Sequence, residues 1–197
     1  MDARLIVEKY IEKCAEQVTN SNFSAVAEAA QMLVRAKRSQ KRIFTAGNGG
    51  SSATASHLVN DLTKGCRVDG HTGLNAMCLS DSTSVLTCLG NDFSYDEIYE
   101  IMLETYGNAG DVLIVFSGSG NSVNIVRACK EAGKMGMRTI GFLGGDGGSA
   151  KDLCNVCVVA PSDCMEMIED FHLMYCHSMV VAIREILGSS HEKCNCR

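Results

Sequence analysis

Two stretches of this 197-residue sequence have the composition of phosphate-binding loops. The first is Ala46-Gly-Asn-Gly-Gly-Ser-Ser52, with Asn48, Gly49, Gly50 and Ser51 at its centre. The second is Phe116-Ser-Gly-Ser-Gly-Asn-Ser122, with Ser117, Gly118, Ser119 and Ser122. Glycines let backbone N–H groups approach an anion, serine hydroxyls add donors, and a following helix presents its free N–H groups and positive dipole end. Neither stretch has the G-x-x-x-x-G-K pattern with its lysine, so nucleoside triphosphate chemistry is not indicated. A further glycine-rich run, Gly144-Gly-Asp-Gly-Gly148, reads as a tight turn. The other chemical signal is polar. His57 and Asp61 stand four apart, on one face of a helix. Glu166, Glu169, His172 and His177 share a later helical run, with His177 eight positions beyond Glu169. Histidine and carboxylate groups at such spacings serve general acid–base catalysis or hold a metal ion.

The elements that must carry these residues follow from periodicity. Residues 3–18 and 22–38 read as amphipathic helices, the second opened by Asn20-Ser21-Asn22. Strands are expected at Arg42–Ala46, Gly73–Leu79, Asp111–Phe116, Arg138–Leu143 and Val156–Ala160. Helices are expected at Ser51–Lys64, 82–89, 94–107, 121–135 and 164–187, with Gly90-Asn-Asp92-Phe splitting the second and third, and a short helical turn at 149–153. Continuously apolar strands alternating with helices imply an α/β fold, a five-stranded parallel sheet with helices on both faces. Ligands of such sheets bind beyond the carboxyl ends of the strands, where both loops fall. One proline and no low-complexity linker indicate a single domain over 1–197. The two leading helices, within residues 1–40, are expected to pack on another subunit.

Composition narrows the function. A net charge of −5 without a basic stripe argues against nucleic-acid binding. The run Arg35-Ala-Lys-Arg-Ser-Gln-Lys41-Arg42 reads as the solvated end of a helix, or else as a patch for a partner. No stretch is long and apolar enough to span a membrane, and no apolar leader opens the chain, so a cytoplasmic protein is expected. Eleven cysteines are scattered, with Cys78, Cys88, Cys129, Cys154, Cys157 and Cys176 in apolar runs, so they read as small buried hydrophobes in a reducing compartment. Cys154-Asn-Val-Cys157 has redox or zinc spacing but no second pair, and His191, Cys194 and Cys196 read as a frayed end.

Taken in order, Gly47-Asn-Gly-Gly-Ser-Ser52, His57-Leu-Val-Asn-Asp61, Gly90-Asn-Asp92-Phe, Ser117-Gly-Ser-Gly-Asn-Ser122, Ile168-Glu-Asp-Phe-His172 and His177 resemble the phosphoheptose isomerase family of the sugar isomerase (SIS) fold, over nearly the whole chain. That resemblance implies a homotetramer with active sites between subunits, converting sedoheptulose 7-phosphate to D-glycero-heptose 7-phosphate. It implies that Ser51, Ser117, Ser119 and Ser122 bind the phosphate, with Gly49, Gly50 and Gly118 in the same loops, and that Asn48, Asp92 and Glu169 line the sugar site. It places the catalytic pair at Asp61 and His177, and a zinc or other divalent cation at His57, Asp61, Glu169 and His177. Three positions depart from the family pattern: Asp61 stands for a glutamate, Glu169 for a glutamine, and Gly118 for the threonine of a Ser-Thr-Ser loop. The same fold also serves isomerases of other sugar phosphates, and non-catalytic modules that bind a sugar phosphate or a protein.

Overall fold

The computed structural model describes residues 2–68 and 70–188, so the His191, Cys194 and Cys196 tail lies outside the described residues. Helices α1 (Ala3–Val18) and α2 (Phe23–Arg38) precede β1 (Ile43–Gly47). Helix α3 (Gly50–Asn60) runs into a π-helical turn, Asp61–Gly65, before β2 (Ala76–Cys78). Helices α4 (Thr83–Asp92) and α5 (Ile98–Tyr106) lead to β3 (Val112–Ser117) and α6 (Val123–Lys134). Strand β4 (Arg138–Leu143), a 3₁₀ turn (Gly148–Leu153), β5 (Val156–Val159) and α7 (Met165–Gly188) complete the chain.

The five strands are all parallel, in the order β2-β1-β3-β4-β5. Every residue of β1 and β3 is buried, because both faces of the sheet are covered. One face packs under α2, α3 and α7, through Leu33, Leu58, Phe171 and Met179. The other packs under α5 and α6, through Tyr99, Leu103, Ile125 and Ala128. Helix α2 packs against α7 of its own chain, burying Ala25, Ala29, Ala30 and Leu33. A sheet covered on both faces needs this helix, and the chain supplies it ahead of the first strand. Helix α1 has no buried residue and leaves Leu5, Ile6, Val7 and Ile11 at 48–61% exposure.

Corrections concern boundaries and one thiol. Gly90, Asn91 and Asp92 continue α4 instead of splitting it from α5; the break falls at Phe93. Strand β2 is only three residues long, since it lies on the edge and pairs with β1 alone. Cys88 is exposed, whereas Cys78, Cys129 and Cys176 are buried as expected.

His172 belongs to this scaffold. It is buried, its Nε2–H donates to the Leu143 carbonyl at 3.0 Å, and its ring lies against the stacked pair Phe116–Phe142. The bond ties α7 to the end of β4. Burial pushes its imidazole down to about 4, against about 6.5 in an unfolded chain. Below about 6.5 the unfolded chain takes up a proton that the folded chain refuses until about 4, so this contribution is present at neutral pH and lost as pH falls through that window. The loss amounts to about 3 kcal/mol on the pKa difference. Urea unfolding of the parent protein and of His172→Gln between pH 7 and 4 checks this: the parent should lose more stability by that amount, and equal slopes would refute the assignment.

Candidate active site

Strands β1 and β3 are neighbours, with Gly47 opposite Phe116, so the two loops leave the sheet side by side at its carboxyl end. In this strand order the crevice between them is the switch point where ligands of doubly wound sheets bind. In the first loop, Gly49 has φ +55°, a conformation glycine adopts without strain. It is the N-cap of α3 and offers no side-chain cap, so among the described residues the Gly50 and Ser51 N–H groups have no side-chain acceptor. The Glu169 carboxylate, from α7, lies directly against Gly50, where a Cβ would collide with it.

The second loop is held from within and from below. The Ser117 hydroxyl accepts from Gly120 N–H at 3.1 Å, and the Ser119 hydroxyl from Asn121 N–H at 3.2 Å. Gly120 sits at φ +64° and presses on Gly147, where no Cβ would fit. Asn121 donates to the Ser119 carbonyl at 3.0 Å and accepts from both the N–H and the hydroxyl of Ser149, at 2.9 and 2.8 Å. Ala150 N–H donates to the Gly120 carbonyl at 2.9 Å. The glycine-rich run 144–148 is thus a turn that buttresses the serine loop. Ser119 is exposed, and Ser122 caps α6 without a side-chain cap bond, so both hydroxyls retain donor capacity for an anion.

An amide pair stitches the loops together. Asn48 Nδ2 donates to Asn124 Oδ1 at 2.9 Å, and Asn124 Nδ2 donates back to Asn48 Oδ1 at 3.0 Å. Tyr95 adds its hydroxyl to Asn48 Oδ1 at 2.9 Å, and Tyr99 donates to the Gly47 carbonyl. Asn124, Tyr95 and Tyr99 escaped the sequence reading, and Asn121 stood in the serine loop without a role assigned to it; the partners of all four lie far along the chain or in the next loop. Asp92 is exposed, and its hydrogen-bond partners are Asn91 and Cys88 of its own helix.

The polar set assembles in part. His57 Nε2 lies 3.0 Å from His177 Nε2 and 3.3 Å from Asp61 Oδ2, and His177 Nε2 lies 3.7 Å from the same oxygen. Asp61 opens the π-helical turn: Cys66 N–H reaches its carbonyl at 2.9 Å, one residue wider than an α-helix. Among the described residues, Asp61 Oδ1 accepts from Asn60 alone, at 3.3 Å. The thiols near Asp61 are not site groups. Burial pushes Cys66 up to about 11 and raises Cys176, with the Asp61 charge adding to both, so neither supplies a thiolate near neutral pH.

Among the described residues, the cluster able to hold a metal ion is His57, Asp61 and His177. Glu169 stands apart. Helices α3 and α7 run alongside each other, since Gly50 touches Glu169 and His57 touches His177. His177 lies eight positions beyond Glu169 along the helix, about 12 Å at 1.5 Å per residue. The first loop is likewise about 10 Å from His57 and 16 Å from Asp61 along α3.

Comparison with known proteins identifies the family. The SIS domain family profile matches residues 8–144. The phosphoheptose isomerase of Clostridium acetobutylicum is 38% identical over 164 residues, 83% of each chain. The solved phosphoheptose isomerase from Francisella tularensis superposes with a TM-score of 0.88 at 26% identity, covering 94% of this chain and 100% of that one. The corresponding structure from Neisseria gonorrhoeae gives 0.83 at 28% identity, covering 91% and 97%. The chain belongs to the SIS-domain family, and within it to the phosphoheptose isomerases.

Proposed function

We propose that the chain is a sugar-phosphate isomerase that converts sedoheptulose 7-phosphate to D-glycero-heptose 7-phosphate. The observation that carries this is the convergence of His57 and Asp61, at the end of the helix that starts at the first glycine-rich loop, with His177 of α7. Aldose–ketose interconversion needs a base to take a proton from the carbon beside the carbonyl, giving an enediol, and an acid to return one to the neighbouring carbon. Asp61, with Oδ1 engaged among the described residues by Asn60 alone, is the base, and His177 is the partner acid–base group. Ser51, Ser117, Ser119 and Ser122, with the Gly49, Gly50 and Gly118 backbone, hold the phosphate, so its binding energy orients the reacting end. Asn48, Asp92 and Glu169 face the sugar hydroxyls.

The donor set fits a divalent cation. Tetrahedral zinc with bonds of about 2.0–2.2 Å needs ligand atoms about 3.4 Å apart. The observed edges are 3.0, 3.3 and 3.7 Å. When bound, such a cation supplies Lewis-acid polarisation of a substrate oxygen. Glu169 completes this set only if it comes from a second copy, because its own His177 is about 12 Å along α7. The phosphate loop and the acid–base set are separated in the same way, which supports a working site between subunits, as in the homotetramer that the family resemblance implies. The unburied apolar face of α1 and the cleft of about 540 Å³ between α1 and α7, lined by Tyr10, Ile11, Met174 and His177, support that reading. Light scattering of the parent should give an oligomer, and Ile6→Glu/Ile11→Glu a smaller, inactive species. An active monomer would refute the shared site.

The direct test is an NMR assay with sedoheptulose 7-phosphate, with and without added zinc. Formation of an aldoheptose 7-phosphate is expected. No conversion, with the sugar phosphate still raising Tm, would leave a binding module or an isomerase for another sugar phosphate.

A further inference from the structure

The basic run at the end of α2 plays no part in the site above. It opens onto a cleft of about 600 Å³ at the other end of the sheet. The cleft lies under the amino ends of the strands: Lys41 precedes β1, Gly110 precedes β3, Arg138 begins β4 and Asn155 precedes β5. Its side wall is one face of α2, formed by Glu28, Met32, Arg35, Ala36 and Ser39. The catalytic loops leave the carboxyl ends of the same strands, so the two concavities are separated by the length of the sheet.

We propose that this cleft binds a phosphorylated small molecule through Arg35, Lys41 and Arg138. In a chain of net charge −5, cations concentrated on one concavity are unusual unless carboxylates pair with them. Here they are not paired: among the described residues, neither the Arg35 nor the Arg138 guanidinium has an ion-pair or hydrogen-bond partner. The neighbouring cations are already engaged. Arg42 pairs with Asp111 at 3.1 Å, and Lys37 donates to Thr72 and the Gly73 carbonyl at 2.6 and 2.8 Å. The Lys41 ammonium is fixed at the rim by one bond to the Ala109 carbonyl, at 2.8 Å, and keeps its other N–H groups free. Asn155 Oδ1 accepts from Thr139 N–H at 2.9 Å, which leaves its Nδ2 amide as a further donor.

Two effects oppose an anion: the Glu28 carboxylate and the negative dipole end of α2. Three cations against one carboxylate leave the cleft net positive, and Glu28 is placed to accept from hydroxyl groups of a bound molecule. Guanidinium forks match phosphate oxygens two at a time, which favours phosphate over a simple halide. Met32, Ala36 and Val112 give one apolar wall against which a ring or carbon chain can lie. The volume is in the range of small-molecule sites.

Isothermal titration of the full chain with pyrophosphate and with ADP tests this, using Ser119→Ala/Ser122→Ala to weaken the serine loop. Binding should persist in that variant and fall at least tenfold in Arg35→Ala/Arg138→Ala, whose turnover should match the parent. Tighter ADP than pyrophosphate would show that the apolar wall is used, and equal affinities that charge alone is read; either supports the site. The proposal is overturned if neither probe binds at millimolar concentration. It is equally overturned if the arginine variant binds as the parent does, or if the serine-loop variant abolishes all binding.

Discussion

His177→Ala should lower kcat by about 10²- to 10⁴-fold and change KM little, the range for a positioned acid–base group. The side chain is about half exposed and lies on the outer face of α7, so its removal leaves no core cavity. Thermal stability should therefore stay close to that of the parent, in contrast to a change at buried His172 on the same helix. The sugar phosphate should still bind, because the serine loop belongs to another part of the fold. The measurement is steady-state kinetics on sedoheptulose 7-phosphate beside a melting curve. A turnover within about threefold of the parent would remove His177 from the chemistry. A large fall in melting temperature would turn the loss into a folding effect.

How far these features were legible in the sequence depends on how local they are. Strands β1, β3, β4 and β5 were legible because two-sided burial makes each a continuous apolar run. The two loops were legible because their glycines and serines are contiguous. Strand β2 was less so: as a short edge strand it has Met77 exposed and a weaker pattern. The place of α2 was not legible, since periodicity reports that Ala29, Ala30 and Leu33 share a face but not what covers it. The Asn48–Asn124 pair is a contact across 76 residues, created by the adjacency of β1 and β3. Spacing did show that His57 and Asp61 meet, since four residues is one turn. The same arithmetic, applied to the eight positions from Glu169 to His177, separates them by about 12 Å, although they share a helix.

Asp61→Asn should weaken turnover and zinc binding at once. The substitution keeps the size and the hydrogen-bonding shape of the side chain but removes the only carboxylate in the trio. A neutral amide neither takes a proton from carbon nor balances a divalent charge beside two imidazoles. Turnover should fall by about 10²- to 10⁴-fold, and zinc affinity, measured by titration calorimetry on the substrate-free protein, by at least about tenfold. Asp61→Glu separates the two effects. It retains the charge and lengthens the arm by one methylene, but the π-helical turn sets the start of the arm, and the present edges of 3.3 and 3.7 Å already suit the shorter one. Zinc binding should then survive while turnover drops less than in Asp61→Asn. If Asp61→Asn binds zinc as the parent does and still isomerises the substrate at a comparable rate, the carboxylate is neither base nor ligand. The facing imidazoles at 3.0 Å are then a hydrogen-bonded pair joining α3 to α7.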